Sequence, residues 1–405
     1  MTFDSAAFSV FAGSRAVITG GVGFIGSALA ETLVGLGATV TLVDCMAPNY
    51  GGNLFNIAPF RDRVQVEIAD VRDTARMKPL LEGCDYLFNL AGQTSHLDSM
   101  HDPVTDLEIN CLAQLTLLEA CRAVCPQAKI VFASTRQIYG KPHYLPVDEK
   151  HPLHPVDVNG VNKMAGEAYH ILYHDVYGLQ ATALRLTNTY GPRMRIKDAR
   201  QTFVGIWLKL ALEGKSFEVW GGEQKRDFTY VDDAVTAFLL AALRDETKGK
   251  IFNLGGEGAV SLDELAALVI EANDGGTFSR HEFPAERKRI DIGDYYADDR
   301  LFRQITGWQP AVPLGEGLKR SIVYFRENME HYVCRTDSSG RSESFLSRAK
   351  RCDRCGDCRD AREWPLCAWP RGQSVRRRIR ALHRLQTRHR RCQWYRGLGA
   401  GAARA

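Results

Sequence analysis

Short apolar runs alternate with stretches of helical periodicity through the first half of the chain. Residues 15–19 read as a buried strand, and the apolar-periodic stretch 28–36, stopped by Gly37, reads as a helix. Strand patterns recur at 39–43, 64–68, 86–90, 129–133 and 181–186. The clearest helical patterns between them cover 103–124 and 161–177. Parallel strands need crossovers, and helices are the usual crossovers, so this alternation predicts an α/β fold with a doubly wound parallel sheet. Beyond residue 186 the pattern thins. An apolar helix over 234–243, opened by Asp232 and Asp233 as capping residues, and another from about Leu314 predict a smaller α/β region.

Charge adds a boundary that hydropathy does not show. Residues 334–405 hold 18 Arg and 1 Lys against 6 acids, a net of +13, whereas the whole chain carries only +4. The body is therefore acidic, and the division reads as 1–185, 186–333 and 334–405. The tail also holds 6 of the 11 cysteines. Cys352, Cys355 and Cys358 have zinc-like spacing, and the arginines of 376–380 suit nucleic acid. Against both, the tail lacks strand periodicity and sustained helical faces, and its Arg, Cys, Trp and Gly content resembles GC-rich DNA read out of frame. Read one base later, 391–404 is compatible with a string resembling the cofactor region of nucleotide-sugar aminotransferases. Coding DNA incompatible with that string removes the idea. An out-of-frame tail, a disordered basic tail and a metal module remain the three readings. For the body no metal site is expected, because Cys45, Cys84, Cys111, Cys121 and Cys125 are scattered. No basic, apolar leader opens the chain and no apolar run reaches about 20 residues, so a cytoplasmic protein without a membrane span is expected.

The first candidate chemistry sits between the first strand and helix. Gly20-Gly21-Val22-Gly23-Phe24-Ile25-Gly26 joins them, and Asp44 ends the next strand, 18 residues after Gly26. Glycines at 20 and 23 let the backbone turn tightly and approach a pyrophosphate, while Gly26 lets the helix pack against the strand. A carboxylate at 44 accepts hydrogen bonds from ribose hydroxyls and repels a 2′-phosphate, so the unit predicts a Rossmann site for NAD. Asp70 with Val71, and Ala91 with Gly92, follow later strands and should line the same groove.

With those motifs in place, the body resembles the NAD-dependent epimerase/dehydratase family of extended short-chain dehydrogenases/reductases. The resemblance runs over about residues 14–330 in family order. It continues through Asn89-Leu90-Ala91-Gly92, Ala133-Ser134-Thr135 with Tyr139-Gly140, Lys163 with Ala165-Gly166-Glu167, Arg185 to Pro192, Arg226 to Asp233, and Gly307-Trp308-Gln309-Pro310. It implies transient oxidation of a sugar carbon of a nucleotide-diphosphate sugar by NAD. A Tyr in Tyr-x-x-x-Lys takes the hydroxyl proton, the Lys holds the ribose and lowers the Tyr pKa, and a Ser/Thr bonds the reacting oxygen. Mapped here, these are Lys163 with Ser134 and Thr135, but the Tyr position holds Asn159.

An amide cannot act as a general base near neutral pH, and loss of such a base costs about 10²–10⁴ in rate. His154, Asp157 and Tyr139 are the substitutes the sequence offers. Arg136 and Gln137 stand where the family's dehydratases carry Asp-Glu, so epimerisation is the expected reaction. A dehydratase or decarboxylase, or a degenerate protein that binds without turnover, is the alternative. The resemblance places Asn188, Arg226 and Arg289 on the substrate's diphosphate, a task suited to the guanidinium fork. Arg136 is a candidate for a substrate carboxylate. It also implies a homodimer through helices 103–124 and 161–177, with neither nucleic acid nor membrane as partner.

Overall fold

The computed structural model describes residues 8–47, 50–198, 200, 202–283 and 291–333. Arg289 and every expectation placed on residues 334–405 lie outside the described residues. Six strands of the first half are β1 (Arg15–Thr19), β2 (Thr39–Asp44), β3 (Val64–Ile68), β4 (Tyr86–Asn89), β5 (Lys129–Thr135) and β6 (Gln180–Leu186). They are followed by β7 (Asn188–Tyr190), β8 (Phe217–Trp220), β9 (Lys225–Tyr230), β10 (Ile251–Leu254), β11 (Ala259–Ser261) and β12 (Phe278–His281). Seven of these form one parallel sheet in the order β10-β6-β5-β4-β1-β2-β3. The direction of winding reverses between β1 and β4, which opens a crevice at the carboxyl ends of the strands.

Helices cover both faces. On one lie α1 (Phe24–Gly35) and α8 (Val231–Leu243), burying Leu29, Leu33 and Phe238 with Phe88 of the sheet. On the other lie α2 (Thr74–Leu81), α5 (Ala113–Val124) and α6 (Val158–Tyr177), burying Leu81, Leu117 and Tyr173. A second core, with Trp207, Leu208, Leu265, Val269, Ile322 and Phe325, binds α7 (Phe203–Leu212), α9 (Leu262–Ala272) and the helix Leu314–Asn328 to the small sheets β11-β9-β7 and β12-β8.

The sheet crosses the division expected at 185/186. Its seventh strand, β10, pairs with β6 from Ala183 to Leu186, so residues on both sides of that division build one sheet. The four residues Ile-Phe-Asn-Leu are too few to carry a periodicity of their own, which is why β10 escapes a pattern reading.

Two local differences bear on the site. The helix expected over 103–124 is α4 (Pro103–Leu107), one π-helical turn (Glu108–Leu112) and α5. The wider turn carries the fully buried Asn110, whose Nδ2 donates to the Gln93 carbonyl and to Asp106, each at 3.0 Å. Helix α6 begins at Val158, three residues before the apolar pattern, because Asp157 caps it by accepting the Gly160 N–H at 2.7 Å. Asp233, by contrast, does not cap α8. Its carboxylate accepts the N–H groups of Ala311 and Val312 at 2.9 and 3.1 Å, and so ties down the segment that carries Trp308.

Candidate functional site

At the carboxyl ends of the strands lies a cleft of about 490 Å³. Gly20, Gly23, Phe24, Ile25, Gly26, Asp44, Asp70, Val71, Ala91, Gly92, Ser134, Thr135, Arg136, Asn159, Lys163 and Asn188 all line it. Of the described residues that the sequence places on cofactor, substrate or chemistry, Arg226 is missing from that lining, as are the three candidate substitute bases Tyr139, His154 and Asp157. Arg226 lies in an adjoining cavity of about 840 Å³ that also contains Arg136 and Asn188.

The phosphate end follows from backbone geometry. A Cβ on Gly26 would collide with the Gly20 carbonyl and stand 2.9 Å from the Gly21 Cα, so only glycine lets α1 start this close to β1. No side chain caps α1, whose N-cap is Gly23. Its first-turn amides therefore face the cleft with the positive end of the helix, which suits a pyrophosphate. Thr19 shapes the opposite wall. Its hydroxyl donates to Asn89 Oδ1 at 2.9 Å and accepts the N–H groups of Leu90 and Ala91 at 3.1 Å.

Asp44 ends β2 within the cleft and accepts the Met46 N–H at 2.9 Å. Burial pushes its carboxyl pKa up, and the Met46 and Val22 amides oppose that. Asp70 is held differently. It forms a fork with Arg72, whose other arm reaches Glu108 at 2.6 Å, and the Arg72 hydrogen bonds hold the Asp70 carboxyl below the usual range.

Around Lys163 the fit is tighter. Its Nζ donates to the Ala133 carbonyl at 3.1 Å and lies 5.0 Å from the Phe132 ring centre. Burial pulls the ammonium down to about 8, with Asp106 opposing. A Cβ on Gly92 would stand 2.8 Å from this Nζ and 2.9 Å from Asn110 Oδ1, so the missing side chain keeps a space between them. Asn110 Oδ1 is buried without a hydrogen-bond partner among the described residues. A free acceptor beside a cleft-lining ammonium suits a ribose, whose hydroxyls both donate and accept.

Asn159 is only 3% exposed, and its amide is spent inward. Nδ2 donates to the Gln93 carbonyl at 2.8 Å and to Asp106 at 3.1 Å. Asp106 also accepts from Asn110 and from Asn162 at 2.8 Å, so three amides surround one buried carboxylate. The side chain at the expected tyrosine position thus helps build the wall, and an amide does not take a proton near neutral pH.

The two hydroxyl candidates separate. Ser134 donates to Glu167 Oε2 at 2.6 Å, which takes its proton away from the cleft, while Thr135 remains as the half-buried hydroxyl on the cleft wall. Glu167 is itself forked by Arg185, Nε to Oε2 at 2.9 Å and Nη2 to Oε1 at 2.5 Å. Arg185 Nη1 continues to the Tyr139 hydroxyl at 2.5 Å, and that hydroxyl donates to Asn253 Oδ1 at 2.7 Å. Tyr139 is therefore no substitute base: its hydroxyl is fully buried in this chain, and burial pushes its pKa up to about 12. His154 is exposed and outside both cavities.

The adjoining cavity gathers cations. Arg136 Nη2 donates to Asn188 Oδ1 at 3.2 Å, its guanidinium lies 5.1 Å from the Tyr295 ring centre, and its buried Nη1 has no hydrogen-bond partner among the described residues. Arg226 donates to the carbonyls of Lys225 and Gly293 and pairs with Asp291 at 3.3 Å. Burial, then Arg136, pulls its pKa down to about 10. Two desolvated guanidinium groups on one cavity favour an anionic ligand. Apolar walls from Phe203, Trp207, Phe217 and Trp220 complete it.

Sequence reading missed His96. Its Nδ1 is 2.8 Å from the buried Asp157 carboxylate and its Nε2 is 2.9 Å from Gln137 Nε2. It lines both cavities. The available signal was its place four residues beyond Gly92, but one histidine, here the first residue of the short helix α3 (His96–His101), is weak evidence until the fold brings Asp157 to it. Arg72 and Gln93 were missed for the same reason.

Comparison with known proteins fits this geometry. The model of the NAD dependent epimerase/dehydratase family matches residues 16–255. A UDP-glucose 4-epimerase of Mycolicibacterium smegmatis is 30% identical over 323 residues, covering 78% of this chain and 100% of that protein. UDP-glucuronic acid decarboxylase 1 of Xenopus tropicalis is 32% identical over 327 residues, covering 78% of this chain and 73% of that protein. Among solved structures, the UDP-glucose 4-epimerase of Thermotoga maritima with UDP-glucose is 30% identical with a TM-score of 0.70, covering 78% of this chain and 100% of that one. The chain belongs to the NAD-dependent epimerase/dehydratase family, and its cofactor is NAD.

Proposed function

We propose that the chain is an epimerase of nucleotide-diphosphate sugars that oxidises one sugar carbon transiently. The observation that carries this reading is the pair of joined cavities, with Lys163 and Thr135 on the cofactor side and Arg136 and Arg226 on the other. NAD, when bound, supplies a hydride acceptor that later gives the hydride back. The first-turn amides of α1 hold its diphosphate, Asp44 its adenosine ribose, and Lys163 with Asn110 the ribose nearer the chemistry. Thr135 bonds the reacting sugar oxygen, and Arg136 and Arg226 hold the substrate's anionic groups. Arg136 and Gln137 supply no acid–base pair of carboxylates for eliminating water, which favours epimerisation over dehydration.

Full-length protein with NAD and, separately, UDP-glucose, UDP-N-acetylglucosamine, dTDP-glucose and UDP-glucuronate tests the reading by product NMR. The expected product is inverted at one ring carbon, with neither water nor carbon dioxide lost. Release of either overturns the epimerase assignment. The inward-turned amide of Asn159 supports a second reading, binding without turnover. Binding of a nucleotide sugar without conversion, together with activity gained in Asn159→Tyr, selects it.

Asp44→Ser is expected to weaken NAD binding about 10- to 100-fold, the equivalent of losing charged hydrogen bonds, and to narrow the preference over NADP. Calorimetric titration with both cofactors checks this, and unchanged affinity for each removes Asp44 from the site. A homodimer is proposed as well. Val104, Leu107, Leu112, Val161, Leu172 and Val176, on the helices expected to pair, are large apolar residues left exposed.

A further inference from the structure

We propose that His96, oriented by Asp157, is the group that takes the sugar hydroxyl proton in place of the missing tyrosine. This rests on the epimerase reading above and names the base that reading lacks. Five residues line both cavities: His96, Arg136, Gln137, Asn188 and Thr202. A nucleotide sugar held by Arg136 and Arg226, with its reacting carbon turned toward Lys163 and Thr135, passes along this shared wall. Of the five, only the imidazole offers a basic nitrogen; the others are a guanidinium, two amides and a hydroxyl.

The other candidates are spent. The Asn159 amide faces Gln93 and Asp106, the Ser134 hydroxyl faces Glu167, and the Tyr139 hydroxyl faces Asn253 and Arg185. Asp157 caps α6 with one carboxylate oxygen and meets His96 with the other.

That second contact selects the tautomer. An ionised carboxylate only accepts, so Nδ1 carries the proton and Nε2 keeps its lone pair. The Gln137 amide, donating to Nε2 at 2.9 Å, fits this assignment. The arrangement has the logic of an acid–base pair: a base on the cavity wall and a buried carboxylate that fixes its ring and balances the imidazolium. The side chain of His96 is 37% exposed and that of Asp157 only 2%, so the base is reachable and its orienting partner is not.

The step balances as follows. The sugar O–H breaks and its proton goes to Nε2, the C–H breaks and its electron pair leaves as hydride to the nicotinamide, and a C=O forms. In the return step the hydride re-adds to the opposite face of the carbon, and His96 gives the proton back to the oxygen. Gln137 must release Nε2 when the hydroxyl arrives. Asp157 is a positioning residue throughout.

The test uses full-length protein, NAD and the nucleotide sugar of the panel that is converted fastest. His96→Ala is expected to lower turnover about 10²–10⁴-fold, with partial recovery in added imidazole, while calorimetry shows cofactor and sugar-nucleotide affinities within about threefold of the parent. His154→Gln, an exposed change, keeps full turnover. Nitrogen-15 NMR of the histidine rings, with His96 assigned by its loss in the variant, gives a readout apart from activity. An unprotonated Nε2 that shifts on adding the nucleotide sugar, and loss of the fixed tautomer in Asp157→Asn, are the expected results. Turnover that survives His96→Ala, loss without imidazole recovery, or an Nε2 signal indifferent to the sugar overturns the assignment. Failure of the parent protein to convert any sugar in the panel counts instead against the epimerase reading.

Discussion

Lys163→Met is expected to lower turnover by about 10²–10⁴ while making the unliganded protein more stable near pH 7. The rate loss follows from the role proposed above for Lys163, a cation that would hold the cofactor's ribose. The stability gain follows from burial. Lys163 is 6% exposed and its pKa is pulled to about 8, whereas an unfolded lysine titrates near 10.4. Between those values the unfolded chain binds more protons than the folded one, so parent stability rises with pH across that window. Below it the native state carries the full cost of a desolvated charge, which the shift puts at roughly 3 kcal/mol. Losing the bond to Ala133 offsets part of the relief, which leaves a net gain of about 1–2 kcal/mol. Urea unfolding at about pH 7 and again near pH 10 checks the sign. The variant's advantage should shrink as pH rises, and an advantage that grows with pH contradicts the account.

The second large effect is structural. Glu167→Ala is expected to destabilise the body by about 3–5 kcal/mol, because it strands the Arg185 guanidinium in a side-chain environment only 3% exposed. Glu167 lies on α6 and Arg185 on β6, and their fork also takes the Ser134 hydroxyl of β5 and, through Tyr139, Asn253 of β10. Replacing both ions with apolar residues of similar volume, Glu167→Leu with Arg185→Met, should recover much of the loss, since the stranded charge rather than the missing bond is the main penalty. Urea unfolding followed by near-ultraviolet circular dichroism measures both variants. A single variant as stable as the parent removes the network from any structural role.

What a sequence reader can see here divides by physical range. The glycine turn, Asp44 and the apolar strands are local signals, and each is visible because a backbone turn or a buried strand is written in consecutive residues. The π-helical turn at Asn110 is not, because an extra residue in a helix leaves an apolar pattern that still looks helical. Ser134 and Thr135 are equivalent on paper. Only the approach of Glu167, 33 residues later, shows which hydroxyl is taken. His96 and Asp157 are 61 residues apart, and nothing near either one announces the other. Strand β10 is legible only through its neighbour β6.

That last strand limits how the protein can be taken apart. A fragment ending just after β6 would turn an interior strand into an open rim, with a row of unpaired amides and carbonyls ready to recruit other chains. It would also take Asn253 from the Tyr139 hydroxyl, leaving a buried donor bare. Exchanging the residues beyond that junction between relatives would pair a foreign ribbon with a native one and replace the residue that closes the Arg185 chain. The residues before and after that junction are spliced through a shared seam, and recombination has to carry both sides of it.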